Sequence, residues 1–150
     1  MLNFLFLDTR LDNGDIIRAV KDYKAISIRP ELAALGHFVK FCHGLARKDF
    51  ANGENAARDF ALEWICRIAC TRNIKRAAAF CDGKGGIVGI VSEGRIPEKT
   101  ISVIGKRARF RMEGKTPAML AKEYSLPERF GDAHLLQKML VEKTIVSFFE

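Results

Sequence analysis

The run from Arg58 to Phe80, RDFALEWICRIACTRNIKRAAAF, constrains the fold more than any other part of the chain. Phe60, Ala61, Trp64, Ile65, Ile68 and Ala69 recur at helical spacing and form one broad apolar face that has to be buried. Glu63 and Arg67 stand four apart on what the spacing makes the polar side. Thr71 or Asn73 then caps a second helix, since either side-chain oxygen can accept a bond from an otherwise unpaired amide at a helix start. That helix carries Ile74, Ala77, Ala78 and Phe80 inward and Lys75 and Arg76 outward. Two helices therefore meet at a tight corner. The corner is basic: Arg67, Arg72, Lys75 and Arg76 fall within ten residues, offset nearby only by Asp59 and Glu63.

The rest of the chain reads as strands and helices around that corner. Leu2 to Leu7 is a buried strand ended by Asp8 and Thr9. After Asp12, Asn13 and Gly14, the residues Ile16, Ile17, Val20 and Tyr23 have helical spacing. A short strand, Ala25 to Ile28, precedes Pro30, which opens a long helix because a first-turn proline gives up no helical hydrogen bond. Its inner stripe is Leu32, Leu35, Phe38, Val39, Cys42 and Leu45 or Ala46, with Lys40, His43, Arg47 and Lys48 on or near the outside. Asn52, Gly53, Glu54 and Asn55 form the loop before the central helix. Ile87 to Ser92 is a strand of Val and Ile interrupted by Gly89, and Pro97 to Ile104 is a short helix with Ile101 and Ile104 turned in. Thr116 and Pro117 start a helix through Tyr124, and Leu126-Pro127 breaks it. Asp132 caps the last helix, whose stripe is His134, Leu135, Leu136, Met139, Leu140 and Ile145.

Charge narrows the choice of partner. Lys plus Arg is 25 against 18 acidic residues, a net charge of +7, which favours a polyanion. Arg107-Ala108-Arg109-Phe110-Arg111-Met112 alternates basic with apolar; on a strand this turns Ala108, Phe110 and Met112 to the core. Arg107, Arg109 and Arg111 then share one exposed face, ~6.6 to 6.8 Å apart by strand geometry, a spacing that suits a nucleic-acid backbone. The same pattern serves equally as an edge strand kept soluble by charge. Lys99, Lys106 and Lys115 flank the row and deepen its field. The string Asp82-Gly83-Lys84-Gly85-Gly86 has the composition of a phosphate loop. Such a loop follows a strand and opens a helix, whereas here the helix comes first and the strand second.

No catalytic constellation stands out. His37, His43 and His134 are the only histidines, none lies by a Gly-x-Ser-x-Gly turn, and His37 and His43, six apart on one helix, face different directions. Cys42, Cys66, Cys70 and Cys81 show neither a C-x-x-C pair nor a His/Cys set at zinc spacing, so they read as buried free thiols in a reducing cytosol. No catalytic residue, cofactor or metal is expected. The opening Met1 to Leu7 lacks a basic leader and is too short for an export signal, and no stretch reads as a membrane span.

The order Glu63-Trp64-Ile65, two residues, Ile68-Ala69, two residues, Arg72-Asn73-Ile74, then Ala77, resembles the helix-corner-helix signature of the TPRKB-like family. These are the kinase-binding subunits of the KEOPS (EKC) complex, here of archaeal type. Family members carry a Glu before an apolar helix, then a small residue, a Gly, one residue, Arg, Gln or Asn, and Ile. Cys70 stands where the family usually has Gly, so a left-handed backbone at that position would strain it. The C-terminal end, an apolar helix running into Ile145-Val146-Ser147-Phe148-Phe149, resembles the family's as well. The resemblance implies a single α/β (α+β) domain over residues 1–150, with a mixed or antiparallel sheet of four to five strands flanked by helices. It also implies a non-catalytic, cytoplasmic subunit that binds and activates the small PRPK-type kinase/ATPase. That subunit belongs to the assembly that puts threonylcarbamoyl on adenosine 37 of tRNA. Archaeal members also hold the single-stranded 3′ CCA end of the tRNA.

Basic residues at the corner nominate themselves for the tRNA: Arg67, Arg72, Lys75 and Arg76, with Lys40 and Arg47 as neighbours and Arg107, Arg109 and Arg111 as a second surface. For the kinase the candidates are Leu140, Ile145, Phe148 and Phe149, since Phe148 and Phe149 either close the sheet as a last strand or meet a partner. Glu63 is expected to order Arg67 or Arg72. Two other readings stand beside this one. A stand-alone basic RNA-binding module rests on charge and the arginine row, without an RNP-type aromatic motif or a GXXG loop. The other is an enzyme whose site the residues do not reveal.

Overall fold

The computed structural model describes residues 1–83, 85–127 and 132–149. In chain order the elements are β1 (Asn3–Thr9), α1 (Asn13–Val20) with a 3-10 turn over Lys21–Tyr23, β2 (Ala25–Ile28), α2 (Pro30–Ala33) and α3 (Gly36–Asn52). There follow α4 (Phe60–Ala69), α5 (Ile74–Cys81), β3 (Ile87–Ser92), α6 (Glu98–Ile104), β4 (Gly105–Arg107), α7 (Thr116–Glu123) and α8 (Ala133–Ser147). The fold is α+β, with one antiparallel sheet of four strands in the order β2-β3-β1-β4. The chain gathers into two compact units.

The first unit, Met1–Ala34 with Cys81–Phe110, holds the sheet. Its register sets Leu7 opposite Val88 and Leu5 opposite Ile90. Because strand side chains alternate, these turn to one face together, where Ile16 and Val20 of α1 and Ile101 and Ile104 of α6 close the core. Gly89 interrupts the strand for a packing reason: a Cβ there would collide with the Ala33 methyl of α2. The strand expected over the alternating arginine row reaches only Arg107. Ala108 N–H still donates to Phe6 O at 2.9 Å, but Phe110 turns its ring onto Phe6, centroids 5.6 Å apart, and residues 108–113 leave the ladder. Ala108, Phe110 and Met112 are half-buried rather than core, while all three arginines are exposed as expected.

The second unit, Leu35–Phe80 with the chain from Arg111 onward, is helical. The long helix expected from Pro30 is two helices. Leu35 leaves helical dihedrals (φ −84°, ψ 61°) and is fully buried, and Gly36, a poor helix former, follows it. The break divides the chain: α2 packs on β3 in the first unit and α3 starts the second. Within the second unit Trp64 of α4 has no exposed surface, and its Nε1–H donates to Val39 O at 3.0 Å. Tyr124 donates from its hydroxyl to Ile68 O at 2.7 Å, and Phe38 meets the Tyr124 ring edge-on.

Several side chains lie elsewhere than their spacing suggested. Glu63 and Arg67 are 0% and 8% exposed, so the polar side of α4 is dry. His43, expected on the outside of α3, is buried edge-on against Phe60 and Trp64. Of the α5 residues expected inward, Ile74 and Ala78 are exposed, Phe80 is half-buried and Ala77 is fully buried. Along α8 the buried set is Leu136, Leu140 and Thr144 at four-residue steps, while His134, Leu135 and Ile145 are exposed. The chain runs as helix to Ser147, so Phe148 and Phe149 add no strand to the sheet.

Candidate functional site

The corner between α4 and α5 is built from backbone bonds. Cys70 N–H donates to Arg67 O at 3.2 Å and Thr71 N–H to Cys66 O at 3.1 Å, the paired bonds of a Schellman turn. That turn needs a left-handed residue after the helix, and Cys70 takes it at φ 56°, ψ 41°. Glycine is the usual occupant because a Cβ there costs roughly 1–2 kcal/mol. Asn73, rather than Thr71, then caps α5. Its Oδ1 accepts from Arg76 N–H at 3.0 Å and its carbonyl from Ala77 N–H at 2.9 Å, while Thr71 Oγ1 accepts from Asn73 N–H.

This corner is one wall of a cleft of about 440 Å³. Cys70, Arg72, Asn73 and Arg76 come from the corner, Glu123, Tyr124 and Ser125 from the end of α7, and Lys143 and Ser147 from the last turns of α8. Three cations, Arg72, Arg76 and Lys143, against one carboxylate, Glu123, give it an excess of positive charge. The thiol in its wall is no nucleophile at neutral pH: burial pushes Cys70 up to about 12 and Cys66 to about 11. All four cysteines are free and buried, as their spacing suggested.

Arg72 and Arg76 therefore line the cleft, and Lys75 is exposed on α5 beside them. Arg67 does not belong to that surface. Its guanidinium points inward, with Nε and Nη2 on the Asp49 carboxylate at 2.8 and 2.6 Å and Nη1 on Thr144 O at 3.0 Å. Every arm is used within the core, so Arg67 supports the corner and cannot reach a phosphate. Glu63 does not pair with it. Glu63 Oε2 accepts from Ala57 N–H at 2.7 Å, Oε1 has no donor, and burial, followed by the neighbouring Asp49 carboxylate, raises its pKa. Lys40 and Arg47 are exposed on α3, and neither lines the cleft. Arg107 is paired with Glu98 of α6. Arg109 is exposed on the first unit and Arg111 on the second, also outside the cleft lining.

The residues nominated for a protein partner divide in two. Ile145 and Phe149 are 38% and 85% exposed, with Val146 between them at 55%. Leu140 is fully buried and Phe148 only 8% exposed, so neither offers a surface. Phe148 lies under two arginines, with the Arg67 Cζ 3.6 Å and the Arg72 Cζ 5.5 Å from its ring centroid. Arg72 Nη1 also reaches Phe148 O at 3.5 Å.

Lys143, Ser147, Tyr124 and Asp49 escape a reading from the sequence. Only Asp49 leaves a signal there: Cys42, Ala46 and Asp49 sit at the i, i+4, i+7 positions of one inner stripe, so an acid is being buried. Lys143 and Ser147 reach the cleft only once α8 has docked.

A second cleft, of about 350 Å³, lies in the first unit between Thr9–Asn13 and the glycine-rich turn at Asp82, Gly83, Gly85 and Gly86. Lys84 falls outside the described residues. The turn follows α5 and leads into β3, the reverse of a phosphate loop. Among the described residues no three His, Cys, Asp or Glu side chains are gathered as a metal set, and no helix is long and apolar enough to cross a membrane. No model of a known protein family matches the chain, and no curated protein matches it.

Proposed function

We propose that this chain is a non-catalytic subunit of the KEOPS kind, active in the cytoplasm, that binds and activates a small PRPK-type kinase/ATPase and helps to recruit tRNA through its 3′ CCA end. The observation that carries the reading is the basic cleft at the corner. Arg72 and Asn73, two of the residues on which the family resemblance rests, line a cleft with Arg76 and Lys143 beside them. The left-handed backbone at Cys70 supports it too, because it occurs at the position where the family carries glycine. Ile145, Val146 and Phe149 supply an exposed apolar set on α8 and beyond for the kinase.

The mechanism asks little chemistry of the chain. Arg72, Arg76 and Lys143 neutralise the phosphates of the terminal nucleotides, and the strand end lies in the cleft of about 440 Å³. About three neutralised phosphates on a single strand predict a slope of log affinity on log salt near −2. The test has two parts. Association with the kinase from the same source is measured by calorimetry, and tRNA is compared with and without its CCA. One-to-one kinase binding that raises ATP hydrolysis, with tRNA binding lost on trimming, is expected. No association at micromolar concentration would remove the reading's main support. The other reading, a stand-alone basic RNA-binding module, draws on the same cleft and the exposed Arg109 and Arg111. It is favoured if RNA binds and the kinase does not.

A further inference from the structure

Among the described residues three other than glycine have a left-handed backbone, and two of them, Cys70 (φ 56°) and Ser125 (φ 60°), line the same cleft. Each ends a helix. Ser125 closes α7 with the bonds that close α4 at Cys70: Ser125 N–H donates to Lys122 O at 2.9 Å and Leu126 N–H to Ala121 O at 2.7 Å. A Cβ in that conformation is strained, and such strain gathers at ligand-binding sites. The wall between the two closures is well fixed. Tyr124 is 3% exposed, its hydroxyl donates to Ile68 O, and the half-buried Phe80 ring rests against it with centroids 4.7 Å apart.

The charge on this wall does not all suit a phosphate. Arg72, Arg76 and Lys143 do, but Glu123 stands with them, and its carboxylate repels one. Nor does α7 call for it: Glu123 is the last residue of that helix, the end at which the dipole disfavours an acid. A carboxylate offers two oxygens with about four lone-pair positions and donates nothing, so it suits a ligand that brings several donors close together. The 3′ end of an RNA strand brings two. Its last ribose carries free hydroxyls on neighbouring carbons, 2′ and 3′, whereas every internal ribose has only the 2′-OH. Acidic side chains take ribose hydroxyls in the same way at dinucleotide sites. Glu123 immediately precedes Tyr124, on which Phe80 rests, so the base and the sugar of one nucleotide find partners on adjoining residues of one wall.

We infer that Glu123 accepts hydrogen bonds from the 2′- and 3′-hydroxyls of a terminal ribose, so that the cleft selects a free 3′ end of RNA over a strand interior, a DNA end or a blocked end. Phe80 stacks the terminal base, and Arg72, Arg76 and Lys143 hold the phosphates that precede it. An ester on either hydroxyl removes one donor, so an aminoacylated end binds less well than a free one. A 3′-phosphate removes a donor and sets a second negative charge against the carboxylate. The inference rests on the function proposed above, which places a strand end in this cleft, and adds to it which ends are accepted.

The test compares one short RNA ending in CCA in three forms, with a 2′,3′-diol, a 2′,3′-dideoxy end or a 3′-phosphate, on wild type and Glu123→Gln. Wild type should bind the diol about tenfold more tightly than the dideoxy end, the scale of hydrogen bonds to a charged acceptor. In Glu123→Gln, whose amide oxygen accepts only neutral bonds, that ratio should fall to about twofold. The same variant should bind the 3′-phosphate form more tightly than wild type does, because a repelling charge has gone. A carboxylate that merely offsets the cleft's cations gives a different pattern: wild type binds diol and dideoxy ends alike, and the substitution strengthens all three forms by one factor. That pattern overturns the inference and leaves tRNA recruitment by charge standing. No binding of any form overturns both the inference and the tRNA half of the function proposed above. A diol preference that Glu123→Gln removes, found in a protein that does not associate with the kinase, upholds the inference and discards the KEOPS reading.

Discussion

Arg67 closes a two-bond fork on Asp49, Nε to Oδ2 at 2.8 Å and Nη2 to Oδ1 at 2.6 Å, with the two side chains 9% and 5% exposed. The third arm of the guanidinium donates to Thr144 O at 3.0 Å, and Thr144 Oγ1 returns a bond to Arg67 O at 2.6 Å. One side chain of α4 thus ties α3 and α8 together behind the corner. Removing one member of a buried pair strands the other charge in a dry site, at a cost of about 3–5 kcal/mol. Arg67→Met should lose that much stability in urea unfolding. Replacing both members, Arg67→Met with Asp49→Leu, should recover most of it, because no charge is left buried. A single substitution costing under about 1 kcal/mol, the scale of an exposed pair, would show that water reaches the fork.

Glu63 gives the fold a pH dependence of defined sign. Its carboxyl is fully buried, one oxygen accepts from Ala57 N–H, the other has no donor, and its pKa is raised by burial first and then by Asp49. Between the unfolded value near 4.5 and the raised folded value the native state holds the extra proton. Stability from Glu63 is therefore complete below the unfolded value and is lost as pH rises through the folded one. Glu63→Gln keeps an acceptor for Ala57 N–H and supplies a permanent donor toward Asp49. The variant should equal wild type in thermal midpoint near pH 4.5 and exceed it at pH 8. Midpoints that run parallel across that range would mean Glu63 is ionised in the fold throughout.

Much of this architecture is legible in the sequence, and what is not shares one cause. The strands over 25–28 and 87–92 fall where Val and Ile runs end at turn residues, and Asp132 caps α8 as its side chain requires. Ile101 and Ile104 turn inward as their spacing demands. Misplaced residues are those whose surroundings come from distant chain. Glu63 and Arg67 look polar-side on an isolated α4, and only Asp49 of α3 and Thr144 of α8 make that side dry. The cleft is likewise half legible: Arg72 and Arg76 are local to the corner, while Lys143 arrives from a helix some seventy residues on.

Cys70 carries strain that a pair of substitutions can isolate. Its left-handed backbone costs any residue with a Cβ, so Cys70→Ala keeps the strain and loses only the buried thiol. Cys70→Gly loses the thiol and the strain together, offset partly by the greater freedom of glycine in the unfolded chain. The Gly variant should be more stable than the Ala variant by about 1 kcal/mol. Equal stability would place the turn's cost elsewhere. In the wild-type protein both Cys66 and Cys70 should react slowly with iodoacetamide at pH 7.5, since burial holds their thiols at about 11 and about 12.

The end of α8 should separate folding from partner binding within ten residues. Leu140 is fully buried, and truncating such a side chain costs about 2–5 kcal/mol, to which a carboxylate adds its own desolvation. Leu140→Asp is expected to unfold the second unit, which a loss of helical circular dichroism would report. Phe149 and Val146 are 85% and 55% exposed, so Phe149→Asp and Val146→Asp should each shift stability by no more than about 0.5 kcal/mol. On the proposed function the same two variants weaken the kinase complex, because an apolar contact is replaced by a charge that must be desolvated on docking. If both fold normally and bind the kinase as wild type does, α8 is not the face it meets, and the search moves to the exposed Met119 of α7.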